Sequence, residues 1–179
     1  SALKVNAAIS PIQYGVAGGG GICPGAGGLN ITLSNSQTGV NYELFDFNGS
    51  TGINFPGTGS SISFGSFAAT GNYYIIANDL STSCLSIMSD TILISLLPVP
   101  TIFSVTGGGS FCSVPDAGVA VGLNNSETGV DYSLFNNSVY AGTTVSGTGT
   151  GLSFGNRTLA GLYTVIATKT ASGCTSTMN

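Results

Sequence analysis

Residues 16–28 read "VAGGGGICPGAGG" and residues 105–118 read "VTGGGSFCSVPDAG". Glycine runs of this kind can cradle a phosphate, because bare backbone N–H groups approach an anion closely. A Walker-type loop, however, needs Gly-Lys-Ser/Thr after the glycines, and here Ile22 and Cys23 follow with no lysine. A dinucleotide loop needs a helix to open next, and no helical period follows. Glycine also tolerates positive φ and close backbone approach. The expectation is therefore conformational: the runs let a strand bend or cross between sheets ahead of Cys23 and Cys112.

The other candidate groups are sparse. There is no His, which removes the commonest general base. The acids are Glu43, Asp46, Asp79, Asp90, Asp116, Glu127 and Asp131, and the cations are Lys4, Arg157 and Lys169. A carboxylate pair could still do acid–base work. Calcium would need several convergent carboxylates, and no Asp-x-Asp-x-Asp run exists. Two cysteines without His give too few ligands for zinc. With so few cations there is no basic patch, so neither nucleic acid nor an anionic membrane surface is an expected partner. No cofactor is expected.

The elements that would hold such groups follow from a repeat. Shifted by 90 residues, "NSQTGVNYELF" (35–45) matches "NSETGVDYSLF" (125–135). "GTGSSISFG" (57–65) matches "GTGTGLSFG" (147–155), and "GNYYIIA" (71–77) matches "GLYTVIA" (161–167). Residues 29–89 and 119–179 share 23 of 61 identities, well above chance, so the chain is internally duplicated. Upstream the offset is 89, placing Cys23 opposite Cys112 and Pro11 opposite Pro100. "SALKVNAAISP" (1–11) aligns with "DTILISLLPVP" (90–100). Residues 1–10 thus read as the last strand of a preceding repeat, residues 11–99 as repeat 1, and residues 100–179 as repeat 2 without its last strand. The chain is expected to be a window on a longer array.

Charged residues are 6% of the chain and apolar residues 42%, which argues against disorder because disorder goes with low hydrophobicity and high net charge. No apolar run reaches membrane-span length. Short alternating runs separated by Gly/Ser/Asn/Thr turns predict strands at 12–16, 29–33, 40–45, 61–64, 72–77 and 91–97. The expected fold is all-β: tandem Ig-like β-sandwich repeats of about 90 residues, with "LLPVP" (96–100) as a short stiff linker. Tyr73 and Tyr163 stand where such sandwiches often carry a corner tyrosine bonding back to the chain; an ordinary half-buried strand tyrosine is the alternative.

Four cysteines allow three pairings. The repeat selects one intradomain disulfide per repeat, Cys23–Cys84 and Cys112–Cys174, with reduced buried thiols as the alternative. Each would close a loop of about 60 residues, stabilising by on the order of 4 kcal/mol. Disulfides also imply an oxidising, extracellular compartment.

Chemistry carried by the repeat should recur in it, and the acids do not. Asp46 faces Asn136, Glu43 faces Ser133, Asp79 faces Lys169 and Glu127 faces Gln37. No enzymatic activity is expected. Aromatics in loops do not recur either, since Phe47 and Phe55 face Asn137 and Val145, and Tyr140 faces Ser50.

The ordered set Gly-Gly-Gly-x-x-Cys, "NSxTGVxYxLF", "GTG", "SFG", "AGLYTVIA" and "GC" resembles Ig-like repeats in very large type IX-secreted surface adhesins of Bacteroidota, including ones tied to gliding motility. The resemblance implies a cell-surface-attached array in which each repeat contacts its neighbours and presents an adhesive tip to an unknown surface or glycan. It carries over no catalytic residue. "DTI" (90–92) resembles the Asp-Ser/Thr-apolar O-glycosylation site of that phylum, which makes Thr91 a candidate glycan carrier. Few charges guard the strand edges, so lateral association of copies or strand exchange between repeats is a further expectation, and a free-standing glycan- or protein-binding module is the alternative to a stalk.

Overall fold

A computed structural model describes residues 7–112 and 117–179. The part of the 1–10 segment that falls in residues 1–6 lies outside the described residues; residues 7–10 are exposed and form no ladder. The described chain is all-β, without helix, and divides into two compact units between Leu96 and Leu97, three residues earlier than the boundary expected at 99/100.

The first unit contains β1 (Val16–Ala17), β2 (Gly20–Ile22), β3 (Leu29–Leu33), β4 (Val40–Asp46), β5 (Gly49–Pro56), β6 (Ile62–Phe67), β7 (Gly71–Asp79), β8 (Leu85–Ile87) and β9 (Ile92–Leu96). One sheet has the order β1-β3-β6; the other has the order β2-β9-β7-β4-β5, with β8 also pairing β7. The alternation in the sequence explains the packing. Val40, Tyr42 and Leu44 of β4 and Tyr73, Ile75 and Ala77 of β7 point inward, as successive side chains on a strand alternate faces. They meet Ile31 and Leu33 of β3 and Ile62 and Phe64 of β6 in one buried cluster. Two sheets sharing one apolar interior make a β-sandwich.

The second unit contains β10 (Val105–Gly107), β11 (Val119–Leu123), β12 (Val130–Asn136), β13 (Val139–Ser146), β14 (Leu152–Arg157), β15 (Tyr163–Lys169) and β16 (Thr175–Thr177). Its sheets are β10-β11-β14 and β13-β12-β15-β16. Val121, Leu123, Val130, Tyr132, Leu134, Phe154, Val165, Ala167 and Met178 form its core.

The glycine run does cross between sheets. Val16 pairs with Leu33 in one sheet, while Gly20 pairs with Ile94 in the other, so the chain changes sheet over Gly18 and Gly19. A Cβ on Gly18 would lie 1.9 Å from the Asn30 carbonyl oxygen, and Gly18 has φ +115°, so no other residue fits there. Of the expected 12–16 strand only Val16 enters a ladder, continued by Ala17; residues 12–15 stay outside it, tied by single bonds such as Ser34 N–H to the Gly15 carbonyl at 2.9 Å.

Candidate functional site

The motif "NSxTGVxYxLF" forms the same side-chain knot in both units. Ser36 is buried; its hydroxyl donates to the Ser60 carbonyl at 2.6 Å and accepts from the Thr58 amide at 3.0 Å. Ser126 does the same with Thr150 and Thr148, at 2.6 and 3.0 Å. The side-chain oxygens of the preceding Asn35 and Asn125 accept from the Ser36 and Ser126 amides, at 2.8 and 2.9 Å. Tyr42 and Tyr132 are fully buried, and their hydroxyls accept from the amides of Gln37 and Glu127 at 2.9 and 2.8 Å. Burial pushes both phenols above their usual value of 10.0. Sequence reading noted the motif but not Ser36, Ser126, Tyr42 or Tyr132 as its working parts. The co-recurrence of "NS" and "GTG" was the available signal.

The acid positions brace rather than react. The Glu127 carboxylate accepts from the Lys169 ammonium and, through its other oxygen, from the Thr101 amide at 3.1 Å. The hydrogen bond from Lys169 is the main cause of its depressed pKa. Gln37 takes the same place in the first unit, its Oε1 accepting from the Ile12 amide at 2.6 Å. Asp79 caps the β7–β8 turn, its Oδ1 accepting from the Ser81 hydroxyl and amide at 2.7 and 2.8 Å. Among the described residues, no three His, Cys, Asp or Glu side chains gather as a metal site.

Tyr73 and Tyr163 bond back to the chain four residues upstream. The Tyr73 hydroxyl donates to the Ala69 carbonyl at 3.0 Å, and that of Tyr163 to Leu159 at 2.8 Å. Tyr73 is 3% exposed, whereas Tyr163 is only half-buried. Thr91 is exposed, one residue before β9.

The cysteines require a correction. Cys23 and Cys174 are disulfide-bonded, and Cys84 is a free, half-buried thiol. The expected intradomain bridge Cys23–Cys84 is therefore not formed, and the register explains why. Cys23 follows Ile22, which pairs with Leu96, while Ile94 pairs with Gly71 at the start of β7. Cys84 sits at the other end, its carbonyl accepting from the Asp79 amide at 3.0 Å. The nine residues of β7 hold these ends about 27 Å apart at ~3.4 Å per residue. A disulfide needs its Cα atoms within about 7 Å. In the second unit the Cys174 carbonyl accepts from the Lys169 amide at 2.9 Å, at the end of β15.

Two concavities mark the second unit. One, of about 600 Å³, runs between residues 105–111 and residues 159–163, with Val119 and Val121 at its floor. The other, of about 540 Å³, lies beside Tyr140, Asn136 and Arg157. Of the residues that line it, Asn136 and Arg157 each bury one atom, Oδ1 and Nε, with no hydrogen-bond partner among the described residues. Tyr140 is half-exposed, and its hydroxyl shares a hydrogen bond with the Thr144 hydroxyl at 3.0 Å. Phe47 is exposed in the first unit.

No family model matches the chain, and no curated protein matches it. Among solved structures, the chain is similar to the human OSCAR ligand-binding domain, with a TM-score of 0.42, 12% identity and 96% of each chain covered. It is also similar to the chicken CNTN1 FN1-FN3 domains, with a TM-score of 0.36, 14% identity, and 96% of this chain and 67% of that one covered.

Proposed function

We propose that this chain is part of a stalk: tandem Ig-like repeats of a large secreted surface adhesin of the type IX-secreted, gliding-motility-adhesin kind, strung together to present a distant tip and to bear force. The observation that carries this reading is the contrast within the duplicated framework. Ser36 and Ser126, Tyr42 and Tyr132, and Tyr73 and Tyr163 make matching hydrogen bonds. The acids and the exposed aromatics do not match. Selection for an extended scaffold keeps the framework and lets surface chemistry vary. The disulfide-bonded cysteines fit an oxidising, extracellular setting.

The test is the mass of the native polypeptide on a reducing denaturing gel. A chain of hundreds of kilodaltons supports the array. A native chain near the 17.8 kDa of this sequence overturns it.

The recess beside Tyr140 favours a second reading, a saccharide-binding module. The half-exposed Tyr140 borders this recess together with Asn137, Asn156 and Thr158, and an aromatic ring beside amide and hydroxyl groups suits a neutral sugar, whose hydroxyls both donate and accept. Binding of the chain to a glycan array that disappears in Tyr140→Ala would establish it. Failure of every glycan to bind removes it.

A further inference from the structure

The recess beside Tyr140 has a counterpart in the first unit, and the duplication fills the two places differently. Asn136, Tyr140 and Arg157 come to the recess from β12, β13 and β14. These strands are paired as their counterparts are in the first unit: β12 with β13 and β15, as β4 with β5 and β7, and β14 with β11, as β6 with β3. The difference therefore lies in the side chains.

In the first unit the place is apolar. Phe67 and Tyr73 hold their ring centroids 5.4 Å apart, and Ile53 packs against the core. The Phe47 ring lies over Gly71, 3.3 Å from where a Cβ would stand. In the second unit Arg157 replaces Phe67, Thr143 replaces Ile53 and Asn137 replaces Phe47.

The charge changes with the shape. Asp46 of the first unit stands where the second has Asn136, so one place loses an acid as it gains a cation. A cation serving only to brace the fold would be better placed with that acid kept as its partner, because a charge withdrawn from water needs an opposite one. Among the described residues the ion pair is Lys169 with Glu127, and Arg157 has none. Its half-buried guanidinium is only partly engaged. Nη2 donates to the Thr143 hydroxyl at 2.9 Å and to the Phe154 carbonyl, while Nη1 makes no hydrogen bond among the described residues.

We infer that this recess takes an acidic saccharide, with a sugar carboxylate or sulfate held at Arg157 and the sugar's hydroxyls met by Asn137, Asn156 and Thr158. Charged N–H donors make short, strong bonds to anionic oxygens. A volume of about 540 Å³ lies within the range of small-ligand sites. The inference rests on the saccharide reading of this recess and adds the charge that the ligand must carry. The stalk reading is independent of it.

Binding of the whole chain to an array of matched neutral, carboxylated and sulfated glycans tests it. The native chain is expected to bind at least one acidic series about tenfold or more tighter than its neutral counterpart. That preference is expected to shrink as salt is raised. Arg157→Gln is expected to bring the acidic affinity down to the neutral one. Asn136→Asp, which returns the first unit's acid to the site, is expected to weaken acidic glycans by a similar factor and leave neutral ones unchanged. Near-native thermal unfolding of either variant shows that charge recognition was lost and not the fold. A preference confined to carboxylated or to sulfated members supports the inference and identifies the anion. Equal affinity for neutral and acidic members, or a preference that both variants retain, would overturn the inference and leave the saccharide reading standing. Binding of no glycan removes both.

Discussion

The amide of Glu127 donates to the hydroxyl of Tyr132 across 2.8 Å, and Tyr132 has no exposed surface. They stand five positions apart, so the bond closes the turn that leads into β12. A buried hydroxyl and a turn amide satisfy each other, and removing one leaves the other paying its desolvation cost. Tyr132→Phe is therefore expected to destabilise the second unit by about 1–2 kcal/mol. Tyr42→Phe is expected to cost the first unit the same through the Gln37 amide, 2.9 Å from the hydroxyl. Urea denaturation, read by amide exchange within each unit, checks both. Losses below ~0.3 kcal/mol would mean that the tyrosines are held by ring packing alone.

Gly147 packs against the same turn. A Cβ there would lie 2.0 Å from the Glu127 carbonyl oxygen and 3.0 Å from the Tyr132 ring, while its N–H already bonds to the Val130 carbonyl at 2.8 Å. Gly57 repeats this, with 1.9 Å to the Gln37 carbonyl oxygen. Neither the backbone oxygen nor the fully buried ring can move aside. Gly57→Ala and Gly147→Ala are expected to cost about 3 kcal/mol or more. Gly59→Ala, where φ is +81° but a Cβ meets nothing within 4 Å, is expected to cost only about 1 kcal/mol. Thermal unfolding of Gly57→Ala and Gly59→Ala gives the ranking; the reverse order would refute the close-approach account of the "GTG" motif.

The sequence made the inward faces legible because burial there follows a period of two. Val40, Tyr42 and Leu44 could be read directly, as could Val130, Tyr132 and Leu134. The edge strand β5 was not legible. It reads "GSTGINFP", carries Gly52 at φ +74°, and owes its strand state to pairing with β4 rather than to its own residues. β2 is two glycines and an isoleucine, and it is a strand only because β9 lies beside it. The cysteine pairing misled for a related reason. A repeat shows which cysteines correspond, but not that β7 sets Cys23 and Cys84 at opposite ends.

Stability should fall at both ends of the pH scale. The Glu127 pKa is depressed, chiefly by its hydrogen bond from Lys169, and Asp79 is depressed by its bonds from Ser81. A depressed carboxyl contributes stability that is full above its unfolded value and is lost as pH falls through its folded value. The loss is therefore expected below the usual carboxyl values of 4.5 and 3.8. Tyr42 and Tyr132 are raised by burial, so their contribution is full below pH 10.0 and is lost as pH climbs above it. Glu127→Gln is expected to flatten the acid arm of the second unit and leave the alkaline arm unchanged. A thermal-unfolding profile in which the variant keeps the whole acid arm would remove Glu127 as its source.

Thiol chemistry separates the cysteines sharply. Cys84 is free and half-buried in the β7–β8 turn, so it is expected to react with iodoacetamide in the unfolded, unreduced protein. Cys23 and Cys174, being disulfide-bonded, are expected to resist until a reductant is added. Peptide mapping by mass spectrometry reads this residue by residue. Recovery of a fragment linking Cys23 to Cys84 would restore the intradomain bridge and contradict the register that sets them at opposite ends of β7. Cys84→Ser, having no bridge to break, is expected to change stability by less than about 1 kcal/mol, whereas Cys174→Ser, at a position 1% exposed, is expected to cost about 2–5 kcal/mol through loss of the disulfide. Equal costs for the two substitutions would mean that the hairpin cysteine acts through packing and not through its bond.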